Sequence, residues 1–419
     1  MPARWAVTRS AKVPDPRQDA AQARAAQVAR ASYGRLIGIL SAPNGDIAAA
    51  EDALSEALQA ALMKWPTGGI PANPEGWLVR VARNRMTDAH RRSLKQHPIP
   101  VEDHALTTDD PTNDHVQDPR LGLLFVCAHP AIAPSARTPL MLQTVLGFTA
   151  AEIARAYVGS PAAITKLLGR AKARIKANAI PFAVPDADLR SARLPDVTEA
   201  IYGCYALAWH EGPAREMVQR EAVFLADLLA TQIGDDAEVL GLSALLAFLH
   251  ARQGARLADG VFVPLSDQNT DLWDHTLIAA ADARLKTAFR LGHPGRFQIE
   301  AAIQSVHAMR ATTGRTDWGA LLQLYDGLMA MAPTLGAQTS RAAVIGELHG
   351  AAAGLRELDN IAEARVSRFQ PYWATRAYLL GQSGQCVEAE AAYRRAISLS
   401  HTAPVRDFLE TARSHILMN

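Results

Sequence analysis

The chain is poor in several things at once. Its 419 residues hold 3 cysteines, Cys127, Cys204 and Cys386, far apart and odd in number. They form no CxxC pair and no disulfide framework, so a reducing cytoplasm is the expected compartment. No apolar run approaches the ~18 residues that a membrane span needs. The longest, Leu240 to Leu249, is interrupted by Gly241 and Ser243 and reads as a core helix. No compact apolar segment follows the first basic residues, so no secretory signal is expected. Neither sign of charge is in excess, since 43 Lys+Arg oppose 42 Asp+Glu for a net charge of +1. Taken alone, that balance argues against a nucleic-acid binder. What is present is apolar mass, 49% hydrophobic against 20% charged. It suffices for several packed cores and excludes wholesale disorder. The length predicts roughly two to four domains.

The balance is local cancellation. Residues 1–177 sum to +7 and residues 178–419 to −6. Residues 80–95 hold six basic residues and one acid, residues 96–118 six acids and no Lys or Arg, and residues 161–177 five basic residues and no acid. Blocks of this kind separate faces or domains with different partners, although a single block is as readily a solvated helix face.

Apolar residues recur at helical spacing almost everywhere. Ile47, Ala50, Leu54, Ala57, Leu58, Ala61, Leu62 and Trp65 form one stripe, with Glu51, Asp52 and Glu56 off it. Pro66–Pro74 reads as a turn-rich loop. Asn73 can cap the next helix with Pro74 at its first position. On that helix Trp77, Leu78 and Val81 face inward, while Arg80, Arg83, Asn84, Thr87, Asp88 and Arg91 share the outer face. Residues 96–118, with Pro98, Pro100 and Pro111 and no periodicity, read as an extended acidic linker. Thr138-Pro139 is expected to interrupt the helix that follows. Thr149-Ala-Ala-Glu152 is a capping box that starts a short helix, Glu152–Val158. Gly159 ends it, Ser160 can cap a new helix, and Pro161 opens that helix. Two helices about a short Gly-containing turn are a helix-turn-helix signature. In the second, Ile164, Leu167, Leu168, Ala171 and Ile175 would pack, leaving Thr165, Lys166, Arg170 and Lys172 available.

Beyond Pro181 and Pro185 the sequence changes character. Trp373, Ala377, Leu380, Gly384, Ala389, Tyr393 and Ala396 fit tetratricopeptide spacing, and weaker copies lie upstream at Ala343, Gly350 and Ala362 and at Tyr325, Leu328 and Pro333. Stacked helical hairpins present a surface that normally binds a partner, and a purely structural solenoid is the bland alternative.

Reaction chemistry is missing. His210-Glu211 lacks the second His of zincin spacing, and there is no GxxxxGK[ST], no GxGxxG after a strand and no GxSxG. Cys127-Ala-His129 reads as a buried thiol and a satisfied imidazole. The expectation is a non-enzyme with no catalytic residue, no metal and no cofactor.

Several ordered strings carry a family resemblance. Asp46-(x4)-Glu51-Asp52-Ala53-Leu54-(x)-Glu56, Pro71-Ala-Asn-Pro74-(x2)-Trp77-Leu78 and Ala82-Arg83-Asn84-Arg85-(x2)-Asp88-(x2)-Arg91-Arg92 resemble region 2 of bacterial extracytoplasmic-function (ECF) sigma factors. Cys127-Ala-His-Pro130, Leu146-Gly-Phe-Thr149-(x2)-Glu152-Ile153-Ala154 and Arg170-Ala-Lys172-(x)-Arg174-Ile175 resemble region 4. Ile180-Pro-Phe-Ala-Val-Pro185, Asp267-Gln268-(x4)-Trp273, Gly292-His-Pro-Gly-Arg-Phe-Gln-Ile299, Val306-His307-Ala308 and Thr316-Asp317-Trp318 resemble the group with a long tetratricopeptide-like extension. Trp209-His210-Glu211-Gly-Pro213 and Gly159–Thr165 depart from the commoner forms.

The resemblance implies an all-α fold of two small helical domains, sigma region 2 and a region 4 helix-turn-helix, followed by an α-helical tetratricopeptide-like repeat domain. The expected division is a basic lead-in 1–27, region 2 at 28–95, the acidic linker 96–118, region 4 at 119–178 and the extension 179–419, with repeats at about 302–403. The implied partners are core RNA polymerase and promoter DNA. Asp46, Glu51, Asp52, Ser55, Glu56 and Gln59 would meet polymerase. Arg80, Arg83, Asn84, Asp88, Arg91 and Arg92 would meet the −10 element. Ser160, Thr165, Lys166, Arg170, Lys172 and Arg174 would meet the −35 element. The extension would regulate, through a partner protein or by contact with the DNA-binding modules, and no membrane is involved. The competing expectation is a tetratricopeptide scaffold with a helix-turn-helix adaptor.

Overall fold

Helix after helix forms where the apolar residues recur, and in the computed structural model the chain is all-α. The structure describes residues 16–96, 118–157, 159–211 and 216–418. The acidic linker lies outside the described residues except at its two ends, as do residues 1–15 of the lead-in and Gly212 and Pro213. Two compact units divide between Ala200 and Ile201.

The first unit opens with α1 (Pro16–Ser41), α2 (Ile47–Gly68) and α3 (Pro74–Gln96). Asp46 caps α2 by accepting from the Ala49 N–H at 3.0 Å. Helix α2 buries Ile47, Ala50, Leu54, Ala57, Ala61 and Trp65 and runs three residues further than the stripe predicts, through Pro66. It ends where Gly69 adopts a positive φ of 83°. Asn73 caps α3 by accepting from the Gly76 N–H at 2.8 Å. Trp65 and Trp77 meet edge to face at 5.6 Å, which joins the core of α2 to the start of α3.

After the linker come α4 (Pro119–Cys127), α5 (Pro134–Thr144), α6 (Ala150–Ala156), α7 (Pro161–Ala177), α8 (Ala187–Ser191) and α9 (Leu194–Glu211). Contrary to expectation, α5 continues through Pro139, whose side chain is buried beside Ala136, Leu140 and Met141. Packing on that face outweighs the one intrahelical hydrogen bond that a proline removes. The Thr149–Glu152 capping box is complete in both directions. Ser160 accepts from the Ala163 N–H at 3.2 Å at the start of α7. Residues 179–200, expected with the extension, pack into this unit. Ile180 is buried, Arg193 donates to the Phe125 carbonyl at 3.3 Å, and Arg137 pairs with Asp196 at 2.7 Å.

The second unit takes the rest of α9, then α10 (Glu216–Gln232), α11 (Ala237–Ala251), α12 (His275–Arg290), α13 (Arg296–Ala308) and α14 (Arg310–Thr313). A two-stranded hairpin of β1 (Leu257–Ala258) and β2 (Val261–Phe262) turns at Asp259-Gly260, both with positive φ. Helix α11 is the buried core helix expected at 240–249. It packs against α10, α12 and α13. Gly241 is required there, because a Cβ would lie 2.6 Å from the Gln298 backbone nitrogen. Glu238 reaches from α11 to the start of α13 and accepts from the Phe297 and Gln298 N–H groups at 3.0 and 3.1 Å. The Gly292–Ile299 string thus marks a helix start capped from a neighbouring helix.

The chain closes with α15 (Trp318–Met331), α16 (Leu335–His349), α17 (Ala351–Asp359), α18 (Glu363–Val366), α19 (Gln370–Gln382), α20 (Cys386–Ser398) and α21 (Ala403–Met418). Trp373, Ala377, Leu380, Ala389, Tyr393 and Ala396 gather in one core cluster with Leu409 of α21. Gly384 turns α19 into α20 with φ 76°.

Candidate nucleic-acid and polymerase interface

The outer face of α3 follows from its inner one. Leu78, Val79 and Ala82 are buried, so Arg80, Arg83, Asn84, Asp88, Arg91 and Arg92 are exposed together. Glu75 fixes the start of this helix on α1, accepting from Ser32 and from Arg35 at 2.8 Å. Arg92 donates through Nε to the Asp88 carbonyl at 3.2 Å. None of the arginines on this face is held by a buried carboxylate among the described residues; Arg85 alone has an ion pair, to exposed Glu56 at 3.5 Å. Such side chains can turn to phosphates.

On α7, Ile164, Leu168, Ala171 and Ile175 are buried. Ser160, Thr165, Lys166, Arg170 and Arg174 are exposed. Thr165 Oγ1 donates to the Pro161 carbonyl at 2.9 Å and Arg170 Nε to that of Lys166 at 3.4 Å.

Lys172 does not share that exposed face. Its side chain is 9% exposed. Its ammonium donates to both Glu51 oxygens, at 2.7 and 2.6 Å, and to Gln143 Oε1 at 2.7 Å. The reason is angular. Lys172 follows Ala171 and lies one turn beyond Leu168, on the flank of the buried stripe, where α7 meets α2. Glu51, expected on the polymerase face, is therefore half-buried and occupied. Four residues on, Lys176 Nζ lies 2.6 Å from Asp46 Oδ2. Burial raises the Asp46 carboxyl, but the Lys176 ammonium and the Ala49 N–H outweigh it and hold it below the usual carboxylate range. Tyr33 stands beside Glu51, hydroxyl to carboxylate 3.5 Å, and burial with that charge pushes the phenol well above its ordinary value. Asp52, Ser55, Glu56 and Gln59 remain exposed on α2. No sequence signal marks the α2–α7 contact, since its partners lie 121 residues apart.

The Cys127-Ala-His129 pair is structural in form. Burial pushes the Cys127 thiol up to about 12, and its Sγ lies 3.5 Å from Thr144 Oγ1. His129 Nδ1 accepts from the Ala131 N–H at 3.1 Å. Among the described residues no three His, Cys, Asp or Glu side chains cluster as metal ligands, and no helix is long and apolar enough to cross a membrane.

The Asp267-Gln268 and Trp273 string of the second unit is likewise a latch. Arg310 donates to the carbonyls of Leu265, Ser266 and Gln268 and lies 5.2 Å from the Trp273 ring centre. Trp273 Nε1 donates to Gln268 Oε1 at 3.3 Å.

Residues 28–95, which contain α2 and all but the last residue of α3, match the Sigma-70 region 2 family, the polymerase- and promoter-binding region of RNA polymerase sigma factors. Residues 193–289 match a family of unknown function, DUF6596. An uncharacterized protein of Rhizobium meliloti (strain 1021) is 35% identical over 381 residues, spanning 88% of this chain and 90% of its own. No solved structure matches the chain.

Proposed function

The chain belongs to the same family as that Rhizobium meliloti protein and carries a Sigma-70 region 2 domain, and from this premise we propose that it is an ECF-type sigma factor acting in the cytoplasm. The carrying observation is the coincidence of the region 2 match with the exposed basic face of α3. Arg83 and Asn84 take bases of the −10 element, and Arg80, Arg91 and Arg92 hold its backbone, with Asp88 among them. Helices α6 and α7 act as a region 4 helix-turn-helix, α7 entering the −35 major groove with Ser160, Thr165, Lys166 and Arg170 toward base edges and Arg174 toward phosphate. Asp52, Ser55, Glu56 and Gln59 of α2 meet polymerase, joined by Asp46 and Glu51 once α7 lets them go. The acidic linker 96–118 follows the RNA exit path. The tetratricopeptide-like extension regulates, through a partner protein or through the DNA-binding modules.

Two experiments test this. The purified chain should bind core polymerase and support run-off transcription from its own upstream region; failure to bind polymerase defeats the proposal. Removal of residues 201–419, cutting where the compact units divide, should change promoter-directed output. Unchanged output would defeat the regulatory role alone.

A further inference from the structure

The second unit contains a cleft of about 1210 Å³. That exceeds the roughly 300–1,000 Å³ of ordinary small-molecule sites. Its walls are aromatic, with Trp209, Phe262, Phe369 and Phe408 among them, and the first turns of α19 and α21 complete it. Helix starts carry partial positive charge. Helix α19 has no side-chain cap.

The charge of the cleft is one-sided. Its single carboxylate among the described lining residues, Glu216, is already bonded to Arg220. Arg256 and Arg368 also line it, and neither has a carboxylate partner among the described residues. Arg368 is exposed at the rim. The Arg256 guanidinium carbon lies over the Trp209 ring, 3.2 Å from its centre. Among the described residues its Nε is buried without a hydrogen-bond partner, and so is the hydroxyl of Tyr205. Burial lowers Arg256 to about 10, which leaves it charged at neutral pH. Behind it Arg252 is almost wholly buried and donates to the uncharged Gln304. Among the described residues no anion stands opposite either arginine, and a guanidinium withdrawn from water without one is costly to a fold. An anion arriving from solvent would lessen that cost at Arg256, which lines the cleft.

We infer that this cleft binds a small organic anion, a carboxylate, sulfonate or phosphate on an aromatic or apolar body. The head group sits against Arg256 and Arg368 at the starts of α19 and α21, and the body lies between the aromatic walls. The inference does not depend on what the first unit does.

The full chain is titrated with 8-anilinonaphthalene-1-sulfonate and with N-phenyl-1-naphthylamine, which has the same ring system and no charge. The expected result is one saturable sulfonate site per chain, at least ten-fold tighter than the neutral compound. Arg256→Gln should weaken it by ten-fold or more. Arg368→Gln should weaken it several-fold, and as an exposed rim residue it leaves the fold undisturbed. Equal binding of the two compounds, or unaltered sulfonate binding in Arg368→Gln whatever Arg256→Gln does to folding, overturns the inference.

Discussion

At the Glu51–Lys172 contact two charges leave water together, and each is tolerable because the other is there. Lys172→Met would leave Glu51, itself only 21% exposed at the side chain, facing Tyr33 alone. Its expected cost is about 2–3 kcal/mol, below the loss for a fully buried pair because Glu51 keeps some water. Glu51→Gln should cost a similar amount, and the double variant less than the two together. Hydrogen exchange of the α7 amides in the four proteins checks this; additive losses would mean the pair is not coupled. The carboxylates also set a pH limit. Asp46 is held below the usual range as described. At Asp118 burial raises the carboxyl, and the Arg120 guanidinium, at 2.6 Å, outweighs it and lowers it. A depressed folded value means the stabilisation is complete above the ordinary carboxylate value and is lost as pH falls through the depressed ones. Melting temperature measured downward from neutral pH should therefore hold steady until the acid range and then fall, and Asp46→Asn should flatten part of that fall.

Whole elements show what a sequence can reveal. The capping box at Thr149, the Ser160-Pro161 start and the Asn73-Pro74 start each close within four residues, so the order of residues alone displays them. The outer face of α3 was legible for the same reason, although its fully buried residues are Leu78, Val79 and Ala82, and Trp77 and Val81, expected inside, are only half-buried. Lys172 was not, because its orientation is decided by an element 121 residues away. Nor was the passage of α5 through Pro139, where burial outweighs a local rule, nor the capping of α13 by Glu238. Close approach of elements yields its own prediction. A Cβ on Gly34 of α1 would run into the Val145 carbonyl beyond α5, and Gly34→Ala should cost the first unit about 1–3 kcal/mol or more, as overpacking does. Gly241→Ala should do the same where α11 crosses α13. Thermal melts resolved by unit would show the two losses in different transitions. On α3 the contrast is with function. Arg83→Ala or Asn84→Ala should leave stability within about 0.5 kcal/mol, because both are exposed. In the proposed −10 role, each should lower promoter-directed transcription about ten-fold, as the loss of one base contact does.

For the whole molecule, the near-zero charge of the sequence is distributed, with cations on the outer faces of α3 and α7 and, inside the second unit, Arg252 and Arg256 without a carboxylate partner among the described residues. The distribution of thiols is as uneven. Cys127 in the first unit and Cys204 in the second are buried, and burial raises both, while Cys386 at the start of α20 is exposed. The native chain therefore has one thiol that alkylates readily and two that react only when their unit opens. Cys386 accepts a fluorophore without any substitution, beside the helices that line the cleft. Once it is blocked, the labelling rates of Cys127 and Cys204 become separate clocks, one for each unit. A ligand added to the chain would announce which half it steadies by which clock it slows.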